Sequence, residues 1–197
     1  MQLEEARFCA IDVESTGLDT KHDEVVAFAS VPMTGRRILA GSSTYFLIRP
    51  EQYKMEAMKY HGISGHDLET APTFGEAAES IHNALDGILV GHSVEFDYRL
   101  LQRLLKLRQI KLERETVDIV MVEKWLCHKA GKLCMDLTFE AMMERYGIKE
   151  SYRHNALADA FFSAQMFQKQ LLVLSERGVQ TLRQLQKAMK TYRYALW

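Results

Sequence analysis

Read from its N-terminus, the sequence predicts an α/β domain built in layers. β-forming runs come first, strand and helix signals then alternate, and helical periodicity takes over towards the end. Residues 7–13 form a short apolar run closed by Ser15-Thr16-Gly17, which reads as a buried strand and a turn. Residues 24–31 and 36–48 are further β-rich runs. Pro32-Met33-Thr34-Gly35 between them carries turn chemistry, so the first third is expected as a three-stranded meander. Residues 73–85 place Phe74, Ala77, Ala78, Ile81 and Leu85 at helical spacing behind a Thr73/Glu76 capping box. Residues 87–91 read as a short strand bounded by glycines. Helices are predicted over 96–107, 116–126, 136–146, 155–174 and 181–192, with Gly147 and Gly178 as stops.

The 197 residues, 47% apolar and 26% charged, suit one domain over residues 1–176. Residues 177–197 are expected as a helical appendage, part of that domain or an oligomer contact, with Leu182, Leu185, Met189 and Tyr192 on an apolar stripe. No apolar run approaches the ~18 residues of a membrane span. The acidic start Gln2-Leu3-Glu4-Glu5 lacks the pattern of a signal peptide, so a cytoplasmic chain without a membrane partner is expected. Cys9 reads as core. Cys127, His128 and Cys134 lack a second pair at zinc-ligand spacing, and both cysteines read as ordinary, partly buried thiols. The net charge of −1 is unevenly spread: Arg99, Arg103, Lys106, Arg108, Lys111 and Arg114 accompany a single acid, Glu113. Such a run is either a solvated helix face or a surface that holds phosphates.

Four acids stand where an apolar core would not want them. Asp12 and Glu14 close the first strand, and at period two they point to the same side. Asp97 follows the second buried strand and falls in the first turn of the next helix, a position that the helix dipole alone also favours. Asp159 lies beside Ala158 and Ala160 near a buried seam. His154 and Asp159 would stand about 140° apart on one helix. Asn155 is therefore read as the N-cap, with His154 on the loop before it. Converging carboxylates repel unless they are protonated or bind a cation. Oxygen donors select Mg²⁺ or Mn²⁺, and two such ions about 4 Å apart clamp a phosphodiester displacement. A nearby histidine can take a proton from the attacking water. These residue types point to metal-assisted phosphoryl hydrolysis. His22, His66, His82 and His128 read as surface histidines.

At these positions the chain resembles the DEDDh (DnaQ-like) exonucleases of the RNase H-like superfamily. That family takes in the epsilon proofreading subunits of bacterial replicative polymerases, RNase T and oligoribonuclease. Its first motif is matched by Asp12-Val13-Glu14-Ser15-Thr16-Gly17-Leu18, with Ser15 for the usual Thr. Its second is matched by His92-Ser93-Val94-Glu95-Phe96-Asp97, with Ser93 for Asn, and its third by residues 154–160 throughout. His61-Gly62-Ile63 resembles the segment before the second motif, and Asp118, Leu137 and Tyr146 also fall where members carry similar residues. The likeness covers about residues 5–172.

The resemblance implies an RNase H-like fold with a five-stranded mixed sheet flanked by helices. It implies Asp12, Glu14, Asp97 and Asp159 as ligands of two divalent ions, and His154 as general base. The backbone of residues 14–16 would hold a terminal 3′-OH, within a substrate-binding set of Ser15, Thr16, Gly17, Leu18, His61 and Phe96. The expected activity is a 3′→5′ exonuclease acting on single-stranded DNA or RNA 3′ ends and releasing nucleoside 5′-monophosphates. The alternatives are a proofreading subunit with a polymerase partner and a catalytically inactive nucleic-acid-binding scaffold; a homodimer is also open. The motif-one turn favours the 3′-OH end on physical grounds as well. Gly17 permits close backbone approach, Thr16 offers a hydroxyl and Leu18 an apolar surface, whereas a terminal phosphate would be repelled by four carboxylates.

Overall fold

The computed structural model describes residues 1–149 and 154–194, with side chains described as far as Lys190. The Tyr192 side chain of the predicted stripe lies outside that set. The strands are β1 (Arg7–Ser15), β2 (Val25–Thr34), β3 (Arg37–Ile38), β4 (Thr44–Leu47), β5 (Ile88–Gly91) and β6 (Thr116–Asp118). They form a mixed sheet in the order β3-β2-β1-β5-β6, with β4 also paired to β2. β1 runs antiparallel to β2 and parallel to β5, and β6 is parallel to β5. The helices are α1 (Met55–His61), α2 (Gly65–Leu68), α3 (Phe74–Ala84), α4 (Glu95–Leu107), α5 (Ile119–Lys129), α6 (Phe139–Arg145), α7 (Ala156–Glu176) and α8 (Leu182–Tyr194).

β1 is apolar on both faces because both are covered. Cys9, Ile11 and Val13 face a core shared with α3 and α4. Phe8 and Ala10 face the other core, built with α5, α6, α7 and α8. On that second side the contact surfaces are small. Ala156, Ala160 and Ala164 recur every four residues on α7, and Ala10, Ala27 and Ala29 belong to the same buried cluster. α7 packs across β1 and β2 more extensively than any other helix packs on the sheet. Its N-terminal turn is thereby seated over the carboxyl end of β1. Buried Glu123 of α5 pins the layer, accepting from Arg145 at 3.1 Å, from Gln170 at 3.1 Å and from the Tyr146 hydroxyl.

Several boundaries differ from the sequence expectation. The sheet has six strands where five were expected, because residues 36–48 split into β3 and β4 around a single 3₁₀ turn at Ala40–Ser42. Residues 116–118, predicted as the start of a helix, form edge strand β6, and Asp118 caps the helix that follows. α1 and α2 were not anticipated; they span only 7 and 4 residues, too short to show a periodic stripe. The two cysteines read as thiols are joined: Cys127 and Cys134 form a disulfide with 5.9 Å between Cα atoms. Gly131, at φ 64°, reverses the chain after α5 and brings them together. No helix among the described residues is long and apolar enough to cross a membrane.

Candidate active site

The carboxyl end of β1 organises the site. Asp12 pairs with Ala29 and Glu14 with Ala27, so both acids point to the face covered by α7. Asp159 enters from the first turn of α7, behind the Asn155 N-cap, whose side chain accepts from Ala158 N–H at 3.1 Å. One carboxylate oxygen each from Asp12, Glu14 and Asp159 lies within 4.8 Å of the others.

Asp97 approaches from the opposite layer. β5 pairs with β1 only as far as Ala10, which leaves that edge of β1 open near its end. Asp97 Oδ1 accepts from the Val13 N–H there at 3.0 Å. Burial pushes its pKa up to about 7, and the charges of Glu14 and Asp118 push the same way against the Val13 hydrogen bond. Asp118 also lies above the usual carboxylate range through burial. Its Oδ1 accepts from Val120 N–H at 2.9 Å and Ser93 N–H at 3.1 Å, fixing the loop that delivers Asp97. Ser93, which replaces the family's Asn, sits in the left-handed region at φ 58°. His92 donates from Nε2 to the Leu137 carbonyl at 2.9 Å.

His154 is exposed, with a left-handed φ of 57° just ahead of the N-cap. His61 is buried at the end of α1. Its Nδ1 accepts from Ile63 N–H at 3.0 Å, so the neutral ring carries its proton on Nε2. That Nε2 is buried and makes no hydrogen bond among the described residues. Burial depresses the pKa of His61 and the charge of His154 lowers it further, placing the two imidazoles near each other.

The motif-one turn is more internally bonded than the sequence suggested. Ser15 Oγ donates to Gly17 O at 2.7 Å. Thr16 is buried; its hydroxyl donates to Asp23 Oδ1 and accepts from Glu24 N–H, both at 2.9 Å, rather than facing outward. A methyl group on Gly17 would come within 2.5 Å of Asp23 Oδ2. Leu18 is 89% exposed, and Phe96 is half-buried against the α3–α4 core. Three arginines of the basic run that begins on α4 are engaged within the fold. Arg103 donates to Thr20 O at 2.8 Å and to Asp23 O, Arg99 pairs with Glu95 at 2.7 Å, and Arg114 donates to Leu85 O at 2.8 Å.

One aromatic escaped the sequence reading. Tyr45 on β4 pairs with Ala29, the partner of Asp12, and so shares the sheet face of the two acids while 38% exposed. Burial raises its pKa, and the negative charges of Glu14 and Asp67 add to the shift. Alternation alone could not mark it, because its strand was drawn as part of one longer run.

Asp12, Glu14 and Asp159 bring hard oxygen donors together, with Asp97 held next to them on the Val13 N–H, a donor set that fits a divalent cation. Residues 9–167 match the exonuclease family model RNase_T. The epsilon subunit of DNA polymerase III from Rickettsia prowazekii is 30% identical over 167 residues, which are 80% of this chain and 70% of that one. The chain therefore belongs to the DEDDh, DnaQ-like exonuclease family.

Two other relatives are much longer. The PolC-type DNA polymerase III of Thermotoga maritima is 28% identical over 96% of this chain but only 14% of its own length. An epsilon-like protein of Rhodobacter capsulatus is 30% identical over 91% of this chain and 26% of its own. The chain thus spans about a quarter or less of these two. Among solved structures, cell-death related nuclease 4 superposes with a TM-score of 0.75 at 20% identity, covering 92% of this chain and 68% of that one. E. coli exonuclease I bound to a dT13 oligonucleotide gives 0.73 at 16%, over 87% and 42%. These likenesses, each below a quarter identical, establish the shared fold.

Proposed function

We propose that this protein is a 3′→5′ exonuclease that removes nucleoside 5′-monophosphates from the 3′ ends of single-stranded DNA or RNA. The observation that carries the reading is the approach of Asp12, Glu14 and Asp159 oxygens to within 4.8 Å of one another. With Asp97 they would hold two Mg²⁺ or Mn²⁺ ions. When bound, such ions neutralise charge on the scissile phosphate and ease deprotonation of the attacking water. His154, exposed on the loop just before the α7 N-cap, takes that water's proton as general base. The water oxygen bonds to phosphorus as the P–O bond to the penultimate 3′ oxygen breaks; that oxygen takes a proton from solvent, so the monophosphate leaves and the shortened strand ends in a new 3′-OH. The backbone of residues 14–16 receives the terminal 3′-OH, and Leu18 and Phe96 offer apolar surface to the nucleotide.

A polymerase-associated proofreading role is the second reading. It is favoured by the relatives named as epsilon subunits and PolC-type polymerases. Binding of single strands is favoured by the likeness to an exonuclease I complex with dT13. An inactive scaffold fits poorly with a complete acid set. The cytoplasmic setting stays part of the proposal, although the Cys127–Cys134 disulfide sits uneasily with a reducing compartment.

The test uses 5′-labelled DNA and RNA oligomers ending in 3′-OH or 3′-phosphate, and a closed circle, in Mn²⁺ and in EDTA. A ladder from the 3′-OH strands, lost in EDTA and in Asp12→Ala, is expected. Efficient cutting of the circle would instead reveal an endonuclease.

A further inference from the structure

We propose that Asp23, together with Lys54 and Arg103, is the positioning residue for the niche that receives the terminal nucleotide, acting through Thr16 and Gly17. The proposal deepens the exonuclease reading and rests on it.

Asp23 is 4% exposed. A carboxylate so placed is costly unless its oxygens are used. Here they are. Oδ1 accepts from the Thr16 hydroxyl at 2.9 Å and from Lys54 Nζ, and Oδ2 accepts from Asp19 N–H at 2.8 Å. Burial pushes its pKa upward, yet the hydrogen bonds from Lys54, Asp19 and Thr16 outweigh it and hold the group below its ordinary value. The turn is wrapped around this charge, since any side chain at Gly17 would meet the Asp23 carboxylate.

The same short segment reaches two other parts of the site. Arg103 donates to the carbonyls of Thr20 and Asp23, and it lies on α4, the helix that carries Asp97. Lys54 is the residue before α1, the helix that ends in His61. Glu24 binds the approach to α1, accepting from Glu51 N–H at 3.0 Å and Gln52 N–H at 3.1 Å. Glu24 also exchanges hydrogen bonds with Thr16, through Glu24 N–H to Oγ1 and Thr16 N–H to Glu24 O at 2.8 Å. Asp23-Glu24 therefore ties the motif-one turn to the Asp97 helix and to the segment bearing His61.

The Lys54 side chain is 46% exposed but that of Asp23 only 5%, so the lysine also stabilises a buried carboxylate. What the pair controls is where Thr16 and Gly17 stand. Lys54 and Arg103 also offset a negative charge that would otherwise add to the nearby acids and repel the incoming phosphate.

The experiment compares wild type, Asp23→Asn, Lys54→Met and Lys54→Arg. It measures kcat and KM on 5′-labelled oligonucleotides with 3′-OH and 3′-phosphate ends, Mn²⁺ binding by calorimetry, and the melting temperature. Asp23→Asn and Lys54→Met should keep Mn²⁺ binding and most of kcat, raise KM about tenfold or more, and blunt the preference for 3′-OH ends. Lys54→Arg should restore most of the loss. An active wild type whose folded variants keep KM and end preference overturns this proposal alone. So does an equal loss of kcat on both ends without a KM change. A wild type that cannot shorten a 3′-OH strand removes the exonuclease reading and this proposal with it. Should Asp23→Asn fail to fold, Lys54→Met, which leaves the buried carboxylate and its other hydrogen bonds in place, decides the question.

Discussion

Asp97 on α4 holds the backbone N–H of Val13, the residue between Asp12 and Glu14, at 3.0 Å. One acid thus fixes the strand that presents two others, while burial and the charges of Glu14 and Asp118 push its pKa up to about 7. An unfolded Asp titrates near ~3.9. Between these values the folded chain binds more protons than the unfolded one, so its stability falls as pH rises. In chelator, thermal melts should therefore drop from about pH 5 to about pH 8. Mn²⁺ should flatten that slope by pairing with the ionised form. Asp97→Asn should lose activity and show a weaker slope in chelator. A wild-type melting temperature that rises over this range would refute the assignment.

Replacing His154 by Ala should cost on the order of 10²–10⁴ in kcat while Mn²⁺ binding persists. Because His154 holds a left-handed φ of 57°, Ala is strained there as well, and His154→Asn provides the backbone control. Wild-type turnover in both would assign the base elsewhere.

Ser93 and Gln109 hold left-handed backbones at φ 58° and 62°. Gln109 follows the end of α4, where its N–H bonds to Lys106 O and Ile110 N–H to Leu105 O, an arrangement that favours glycine. Gln109→Gly and Ser93→Asn should each add roughly 0.5–1 kcal/mol. For a chain of this size that is a few degrees in melting temperature. No gain from either would mean that local hydrogen bonds already offset the strain.

Leu185 of α8 is fully buried in the α7 core cluster. The chain before α8 is also tied to the N-terminus, by Leu3 N–H to Gln180 O at 2.8 Å and Leu182 N–H to Met1 O at 3.2 Å. Leu185→Ala should cost about 2–5 kcal/mol. Truncation after Arg177 should lower the melting point without changing the mass measured in solution. A halved mass on truncation would show that this helix is a dimer contact.

The grouping of Asp12, Glu14 and Asp159 was legible in the sequence because each interrupts an apolar pattern near the end of an element. The N-cap reading at Asn155 was legible for the same local reason, and its side chain does cap α7. Features that depend on distant partners were not. Asp23 finds Lys54 across 31 residues and Arg103 across 80, and neither separation leaves a mark in the sequence pattern. β6 was read as helix because three strand residues run straight into α5 without a breaker. Tyr45 became visible as a site neighbour only once the register of β1, β2 and β4 was known.

The alanines beneath α7 carry a consequence for how this protein tolerates change. Ala27, Ala29, Ala156 and Ala160 hold no charge and lie buried between the sheet and the helix that brings in Asp159. They act as a spacer gauge: a larger side chain at any of them must lift the helix and widen the gap across which Asp12, Glu14 and Asp159 meet. In a saturation library selected on nuclease activity, these four silent methyl groups should prove nearly as intolerant as the acids. A selection on solubility alone should leave them far freer.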